Sequence, residues 1–322
     1  MIQKALVTGA SGLLGRQVLN AFKKDNWEAV GQGFTRAAPP DIVKADLTSA
    51  VEIEKLLDEV NFLFLIADAL YIGAANRFPD QCDANPDLAR KVNVEATKAL
   101  VEATLSRSIL LIYISTDYVF PGRPGEAPYA ASAQTEPPNI YGQTKRDGEV
   151  AVLETTKGSG KGVVLRVPVL YGSASSNSES AVNVLIDAVW KAQDAGAKVK
   201  MDDWAQRYPT NTEDVGRVCR DIAVRYLGER DKAASLPSIL QFSSEDKMTK
   251  YEICEMFADI LGLPLSGMER VKQGGTAGDG VQRPFDTHLS TKELKELGIS
   301  VETQDFRSWW YVASGDCPTI LS

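Results

Sequence analysis

The sequence predicts an α/β protein: a doubly wound parallel sheet followed by a smaller C-terminal domain. Three observations predict it. Short apolar runs alternate with amphipathic stretches through the first half of the chain. A glycine-rich loop at 9–15 joins the first apolar run to the first amphipathic one. The alternation weakens after Gly172, where a polar loop begins. Strands and helices alternating at this spacing form a parallel sheet covered on both faces.

Strands are expected at 4–8, 28–32, 42–45, 62–66, 109–115 and 162–167, and helices at 13–24, 51–59, 87–106 and 139–153. Apolar residues at Leu88, Val92, Ala96, Ala99, Leu100 and Ala103 give 87–106 a helical stripe. The run at 109–115 is apolar throughout its middle, as a strand buried on both faces requires. Beyond Gly172 the sequence predicts a polar loop at 173–180, helices at 181–195, 214–227, 249–261 and 291–297, a short strand at 239–243 and a flexible loop at 274–280. The expected division is a dinucleotide-binding domain over 1–172, with return segments near 209–243, and a smaller, interleaved substrate-type domain over 173–322.

Composition removes several function classes. The 322 residues carry 35 basic and 43 acidic side chains, a formal charge of −8. That argues against nucleic acid or an anionic membrane as partner, since either calls for a basic face. The longest apolar run, 62–67, is too short to span a bilayer. The start of the chain reads as a strand and not as a signal peptide. The four cysteines, Cys82, Cys219, Cys254 and Cys317, show no CxxC spacing, so reduced thiols in a cytoplasmic protein are expected. A single histidine, His288, argues against His-rich metal sites and Ser-His-Asp hydrolysis, and its own role is expected to be structural.

The loop Gly9, Ala10, Ser11, Gly12, Leu13, Leu14, Gly15 answers a specific demand. The chain must turn sharply, let a pyrophosphate approach its backbone, and pack a helix against the sheet, and glycine permits each. The helix then presents its positive end to the phosphates. A Rossmann-type dinucleotide site is therefore expected. Its GxxGxxG spacing is the short-chain dehydrogenase version. An NAD site carries Asp or Glu at the end of the second strand. Here that place holds Gly33, Phe34, Thr35 and Arg36. Arg36 can pair with a 2′-phosphate, and Arg16 is a second candidate, so NADP(H) is the expected cofactor. Asp46 and Leu47, after the third strand, would flank the adenine.

A reaction centre is also legible. Tyr141 and Lys145 stand at i and i+4, one above the other on a helix. A phenol with an ordinary pKa near 10 is a poor proton donor at neutral pH, and an ammonium beside it favours the phenolate. Lys145 can also hold the nicotinamide ribose. Thr116 ends the apolar strand, where parallel-sheet proteins place ligands, and Asn93 lies on the long helix one strand earlier. The expected roles are Thr116 polarising a carbonyl and Tyr141 giving the proton, in the company of Lys145 and Asn93. Asp117 is followed by Tyr118 and not by the Glu that superfamily dehydratases carry, which favours hydride transfer over dehydration.

These residues resemble an extended short-chain dehydrogenase/reductase. The runs VTGASGLLG (7–15), STDYVF (115–120), YGQTK (141–145) and RVPVLYG (166–172) are similar to the dTDP-4-dehydrorhamnose reductases. Segments outside that shared core resemble a related group, the regulatory β subunits of methionine adenosyltransferase. These are VGQGF (30–34), ESAV (179–182), QRYPT (206–210) and MTKYE (248–252). The resemblance implies cofactor contacts from Ala74, Ala75, Pro168 and Leu170, and a substrate-type pocket with Asp117, Tyr118, Arg207 and Arg283. It also implies a role in S-adenosylmethionine synthesis with a methionine adenosyltransferase catalytic subunit as partner. The alternative is an NADPH-dependent reductase of a keto sugar nucleotide or another carbonyl. Both groups keep a Ser or Thr with the Tyr and Lys, so the triad does not choose between them. Two stretches depart from the pattern. Residues 61–73 are longer than the family's fourth strand and carry Asp68, and the tail from Phe306, with Trp309, Trp310 and Cys317, does not follow the family's ending.

Overall fold

A computed structural model describes residues 3–60, 64–67, 79–229, 232–273 and 281–316. The chain begins with β1 (Lys4–Val7), α1 (Leu13–Lys24), β2 (Glu28–Gly33), β3 (Ile42–Lys44), α2 (Ala50–Val60) and β4 (Phe64–Ala67). Short helices α3 (Pro79–Ala84) and α4 (Pro86–Arg90) lead into α5 (Ala96–Ser106), followed by β5 (Leu110–Thr116), α6 (Ile140–Thr155) and β6 (Gly162–Val167). Then come β7 (Leu170–Tyr171), α7 (Leu185–Lys191), β8 (Val199–Asp202), β9 (Thr210–Asn211), α8 (Thr212–Gly228) and β10 (Ile239–Gln241). The described chain finishes with α9 (Lys250–Leu261), β11 (Met268–Val271), α10 (Lys292–Glu296) and α11 (Phe306–Asp316).

Seven parallel strands form the main sheet in the order β10-β6-β5-β4-β1-β2-β3. The order reverses between β1 and β4, and in such sheets ligands bind outside the carboxyl ends of the strands beside that reversal. Alternate residues feed opposite faces. Ala5, Val7, Leu110, Ile112, Ile114, Val163 and Leu165 pack with α1 and α8. Leu6, Leu111, Tyr113 and Val164 pack with residues of α2, α5 and α6. At roughly 25 cal/mol per Å² of apolar area, these two layers supply most of the drive that holds the sheet together. The two outlying segments α8 and β10 return to this sheet, α8 on the α1 face and β10 beside β6.

A third cluster gathers Tyr171, Val182, Leu185, Ile186, Val189 and Met201 with Ile253, Phe257, Phe306 and Trp310. The departing tail joins it: Tyr171 meets Phe306 and Trp309 edge-on at 4.7 and 5.2 Å, and Trp310 is only 1% exposed. Residues 306–316 are thus a helix docked on this third cluster. Most of the longer stretch 61–73 (61–63 and 68–73), residues 74–78 with Ala74 and Ala75, the loop 274–280 and the end of the tail with Cys317 lie outside the described residues.

Two expected helices differ in detail. The stretch expected as one helix at 87–106 contains a wide π turn over Lys91–Glu95. Such turns cluster at functional sites, and this one holds Asn93. The helix expected over 181–195 shortens to α7. The Ser180 hydroxyl accepts from the Val182 and Asn183 amides, and Asn183 donates to the Gly172 carbonyl. Side chains thereby take backbone groups that a helix would use. Cys82, Cys219 and Cys254 are buried. His288 stacks on Tyr208 at 4.1 Å, away from the cleft described below. Among the described residues no helix is long and apolar enough to cross a membrane, and no cluster of side chains suits a metal ion.

Candidate dinucleotide and substrate cleft

The loop after β1 is shaped by what its glycines lack. Gly9 has φ +63°, and a Cβ on Gly15 would lie 2.2 Å from the Gly9 carbonyl oxygen. Gly12 donates to that same carbonyl at 2.9 Å. No side chain caps α1 at Gly12, and no acid stands in its first turn. A turn this tight, with an uncapped helix end behind it, fits a pyrophosphate. Gln32, given no role in the sequence, ties the loop down: its side chain accepts from Gly9 N at 3.2 Å and donates to the Ala45 carbonyl at 2.6 Å. A buried amide wedged between strands carries no motif, so no local signal marks it.

A cleft of about 320 Å³ opens at the carboxyl ends of β5 and β6. It brings together Leu13, Leu14, Thr116, Asp117, Tyr118, Tyr141, Pro168, Leu170, Arg207 and Arg283 from the expected set. Tyr141 lies in its wall, 8% exposed, with Tyr118 edge-on at 6.0 Å. Asn139 positions this turn by capping α6 through the Gly142 amide. Lys145 is fully buried behind the wall: its Nζ donates to the Ile114 carbonyl at 2.6 Å and lies 4.3 Å from the Tyr113 ring centroid. Ile114 itself lines the cleft, so the ammonium is one carbonyl away from it. Asn93 Nδ2 donates to Thr144 Oγ1 at 3.0 Å, on the same helix as Tyr141 and Lys145. Asn93 therefore supports α6 and does not line the cleft.

The Thr116 hydroxyl donates to Asp117 Oδ1 at 3.0 Å and accepts from the Tyr118 amide at 3.2 Å. Thr287 donates to Asp117 Oδ2 at 2.5 Å. Burial pushes the Asp117 carboxyl up to about 6, against the opposing pull of Thr287, Arg207 and Thr116. Between about pH 4 and 6 the folded chain therefore binds more protons at Asp117 than the unfolded chain, and stability falls as pH rises through that window. Asp117→Asn removes this loss. The variant is expected to match the wild type below pH 4 and to gain stability up to pH 6, by about 3 kcal/mol at most. Thermal melts from pH 4 to 8 check it, and a pH-independent difference would refute the assignment.

Three cations face the same space. Arg207 is 5% exposed, and its Nη2 makes no hydrogen bond among the described residues but lies 3.8 Å from Asp202 Oδ2, a long ion pair. Arg283 is held by Asp80 at 2.7 Å. Lys250, quoted in the sequence only within the MTKYE run and given no role there, also lines the cleft, and burial together with the two arginines lowers its pKa to about 8. Three positive charges against the two carboxylates Asp80 and Asp202 leave the space net positive, which favours an anionic group.

The end expected to hold the adenosine is arranged differently from expectation in one respect. Gly33 sits where β2 abuts the loop; a Cβ there would be 3.5 Å from both Ser11 Oγ and the Arg36 carbonyl oxygen. Phe34 is 37% exposed, with Lys44 Nζ 5.7 Å from its centroid. Asp46 accepts from the Thr48 amide and hydroxyl, and Leu47 packs into the core. Arg16 and Arg36 do stand together, but Glu179 lies between them: Arg16 Nη2 reaches Glu179 Oε2 at 2.6 Å, and Arg36 pairs with Oε1.

Comparison with known proteins gives the family. The chain matches the RmlD substrate binding domain family over residues 3–309. It is 38% identical to methionine adenosyltransferase 2 subunit beta of Rattus norvegicus over 305 residues, which cover 94% of this chain and 84% of that protein. It is 29% identical to the dTDP-4-keto-6-deoxy-D-glucose reductase of Streptomyces niveus, covering 93% of each. The crystal structure of dTDP-4-dehydrorhamnose reductase from Bacillus anthracis in complex with NADP superposes with a TM-score of 0.77 at 20% identity, over 98% of this chain and 99% of that one, a likeness of fold. With its Rossmann-type sheet, phosphate loop and full-length match, the chain belongs to the RmlD-like branch of the extended short-chain dehydrogenase/reductases, in the family of the methionine adenosyltransferase 2 beta subunits.

Proposed function

We propose that this chain is an NADP(H)-holding regulatory subunit that docks on a methionine adenosyltransferase catalytic subunit and acts in S-adenosylmethionine synthesis. The observation that carries this reading is the 38% identity spread over 94% of the chain, far beyond the dinucleotide loop that every member of the fold shares. The loop at 9–15 would hold the pyrophosphate, and Arg16 and Arg36 the 2′-phosphate. Pro168 and Leu170 would lie along the cleft beside the nicotinamide. Size-exclusion chromatography with the catalytic subunit from the same source, with and without NADP+, tests the reading. The expected result is a stable co-eluting complex. Separate elution in both conditions overturns the docking.

The cleft supports a second reading, an NADPH-dependent reductase of a keto sugar nucleotide or another carbonyl. Thr116, Asp117 and Tyr141 converge on one space with Arg207, Lys250 and Arg283. A bound NADPH supplies a hydride. The chain's own part is proton and charge handling. Thr116 turns its hydroxyl from Asp117 to the carbonyl oxygen, and Tyr141 gives that oxygen its proton. The ammonium of Lys145 stands one helical turn behind Tyr141 and favours the resulting phenolate. The three cations hold an anionic substituent such as a diphosphate.

A further inference from the structure

We infer that Glu179 is an internal stand-in for the cofactor's 2′-phosphate and sets how strongly the chain prefers NADP(H) over NAD(H). The inference rests on the cofactor reading above and adds a residue to it. No carboxylate stands at the end of β2, where NAD sites carry one. The structure brings one there from a distant segment. Glu179 forms ion pairs with Arg16 from the first turns of α1 and with Arg36 from the loop after β2. Its Oε2 also accepts the Ser175 amide at 3.2 Å.

This is not an ordinary surface pair. The Glu179 side chain is 8% exposed, whereas Arg16 and Arg36 are 26% and 48% exposed. Burial pushes its carboxyl up, but the hydrogen bonds from Arg16 and Arg36 and from the Ser175 amide outweigh burial and hold it down at about 2. It is therefore an anion throughout the physiological range. It also borders the cleft together with Leu13 and Leu14, at the mouth of the phosphate loop. Arg16 further binds the Ser11 and Ser173 carbonyls, so the pairs strap the 173–180 loop across the phosphate loop.

The consequence is a competition. A 2′-phosphate needs the same two guanidiniums and must displace the carboxylate to reach them. A 2′-hydroxyl makes no such demand, so NAD(H) leaves the pairs in place. Removing the charge of Glu179 thus favours one dinucleotide and not the other, which a merely structural role for the residue would not do.

The test is the dissociation constant of NADP+ and of NAD+, by isothermal titration calorimetry, for the full chain and for Glu179→Gln. Glu179→Ala serves as a second variant should the amide misfold. The expected result is NADP+ binding tightened about tenfold, the scale of one charge-assisted hydrogen bond, with NAD+ changed less than about twofold. Unchanged or weakened NADP+ binding, or an equal change for both dinucleotides, overturns the inference and leaves the cofactor reading standing. A wild-type chain that binds neither dinucleotide overturns both.

Discussion

Tyr141→Phe is expected to lower carbonyl turnover about 100- to 10,000-fold, the usual loss for a general acid, and to leave association with methionine adenosyltransferase intact. The change removes one oxygen from a ring packed among Cys82, Ala89 and Tyr118. Packing is conserved, so the fold and any docking surface persist. What disappears is the only phenol that lines the cleft on the turn preceding Lys145 among the described residues. Keto sugar nucleotides and NADPH provide the assay, and co-elution with the catalytic subunit provides the control. Wild-type turnover that survives in the variant would sink the role given to Tyr141. Turnover absent from the wild type and complex formation unaffected in both proteins would leave the regulatory reading alone.

How much of this was legible depends on how far apart in sequence the partners stand. Helix α1 falls on the expected 13–24, because a glycine loop opens it and one apolar stripe, Leu14, Val18, Leu19 and Phe22, runs its length. The strand at 162–167 is likewise found as read. Strands β8 and β11 were not foreseen. Each has only four residues: β11 exposes three of them, and the alternation of β8 (Val199, Lys200, Met201, Asp202) is too short to stand out. Helix α11 was missed because its burial depends on Tyr171 and Phe257, which come from other elements. The site divides in the same way. The phosphate loop and the Tyr-Lys pair are local patterns with a mechanism attached. Glu179, Gln32 and Lys250 lie within the runs ESAV, VGQGF and MTKYE that carry the resemblance, but nothing in those runs gives them a role in the site. Glu179 meets Arg36 across 143 positions of sequence, and Lys250 is made unusual by its burial and then by the charges of Arg207 and Arg283. Asn93 was read as part of the reaction centre; it bonds Thr144 of α6 and is not among the residues that line the cleft.

The largest effect on stability is expected at a pair that no motif announces. Arg166 on β6 and Glu149 on α6 are 2% and 0% exposed and form two hydrogen bonds of 2.8 Å, from Nε to Oε1 and from Nη2 to Oε2. The remaining groups are satisfied as well. Arg166 Nη1 donates to the Ala131 carbonyl and to Gln241, the Ser115 hydroxyl donates to Glu149 Oε1 at 2.6 Å, and the guanidinium lies 4.9 Å from the Phe120 ring centroid. Desolvating two charges is costly, and the fork-on-fork geometry offsets that cost only while both are present. Glu149→Leu strands the guanidinium among apolar neighbours and should cost about 3–5 kcal/mol, lowering Tm by roughly 10 °C. Arg166→Met should cost a similar amount by stranding the carboxylate. The double variant, with two apolar chains of comparable volume, should recover most of either loss, since nothing charged is left buried. Thermal and denaturant unfolding of the three variants form a double-mutant cycle. Additive losses would show that the two side chains act independently. A strong coupling would identify the pair as the fastening between α6, which carries Tyr141 and Lys145, and the strand ends that form the cleft wall. In that case the single variants should also lose NADP+ affinity, because Ser115, Thr116 and Val167 share the anchored ends of β5 and β6.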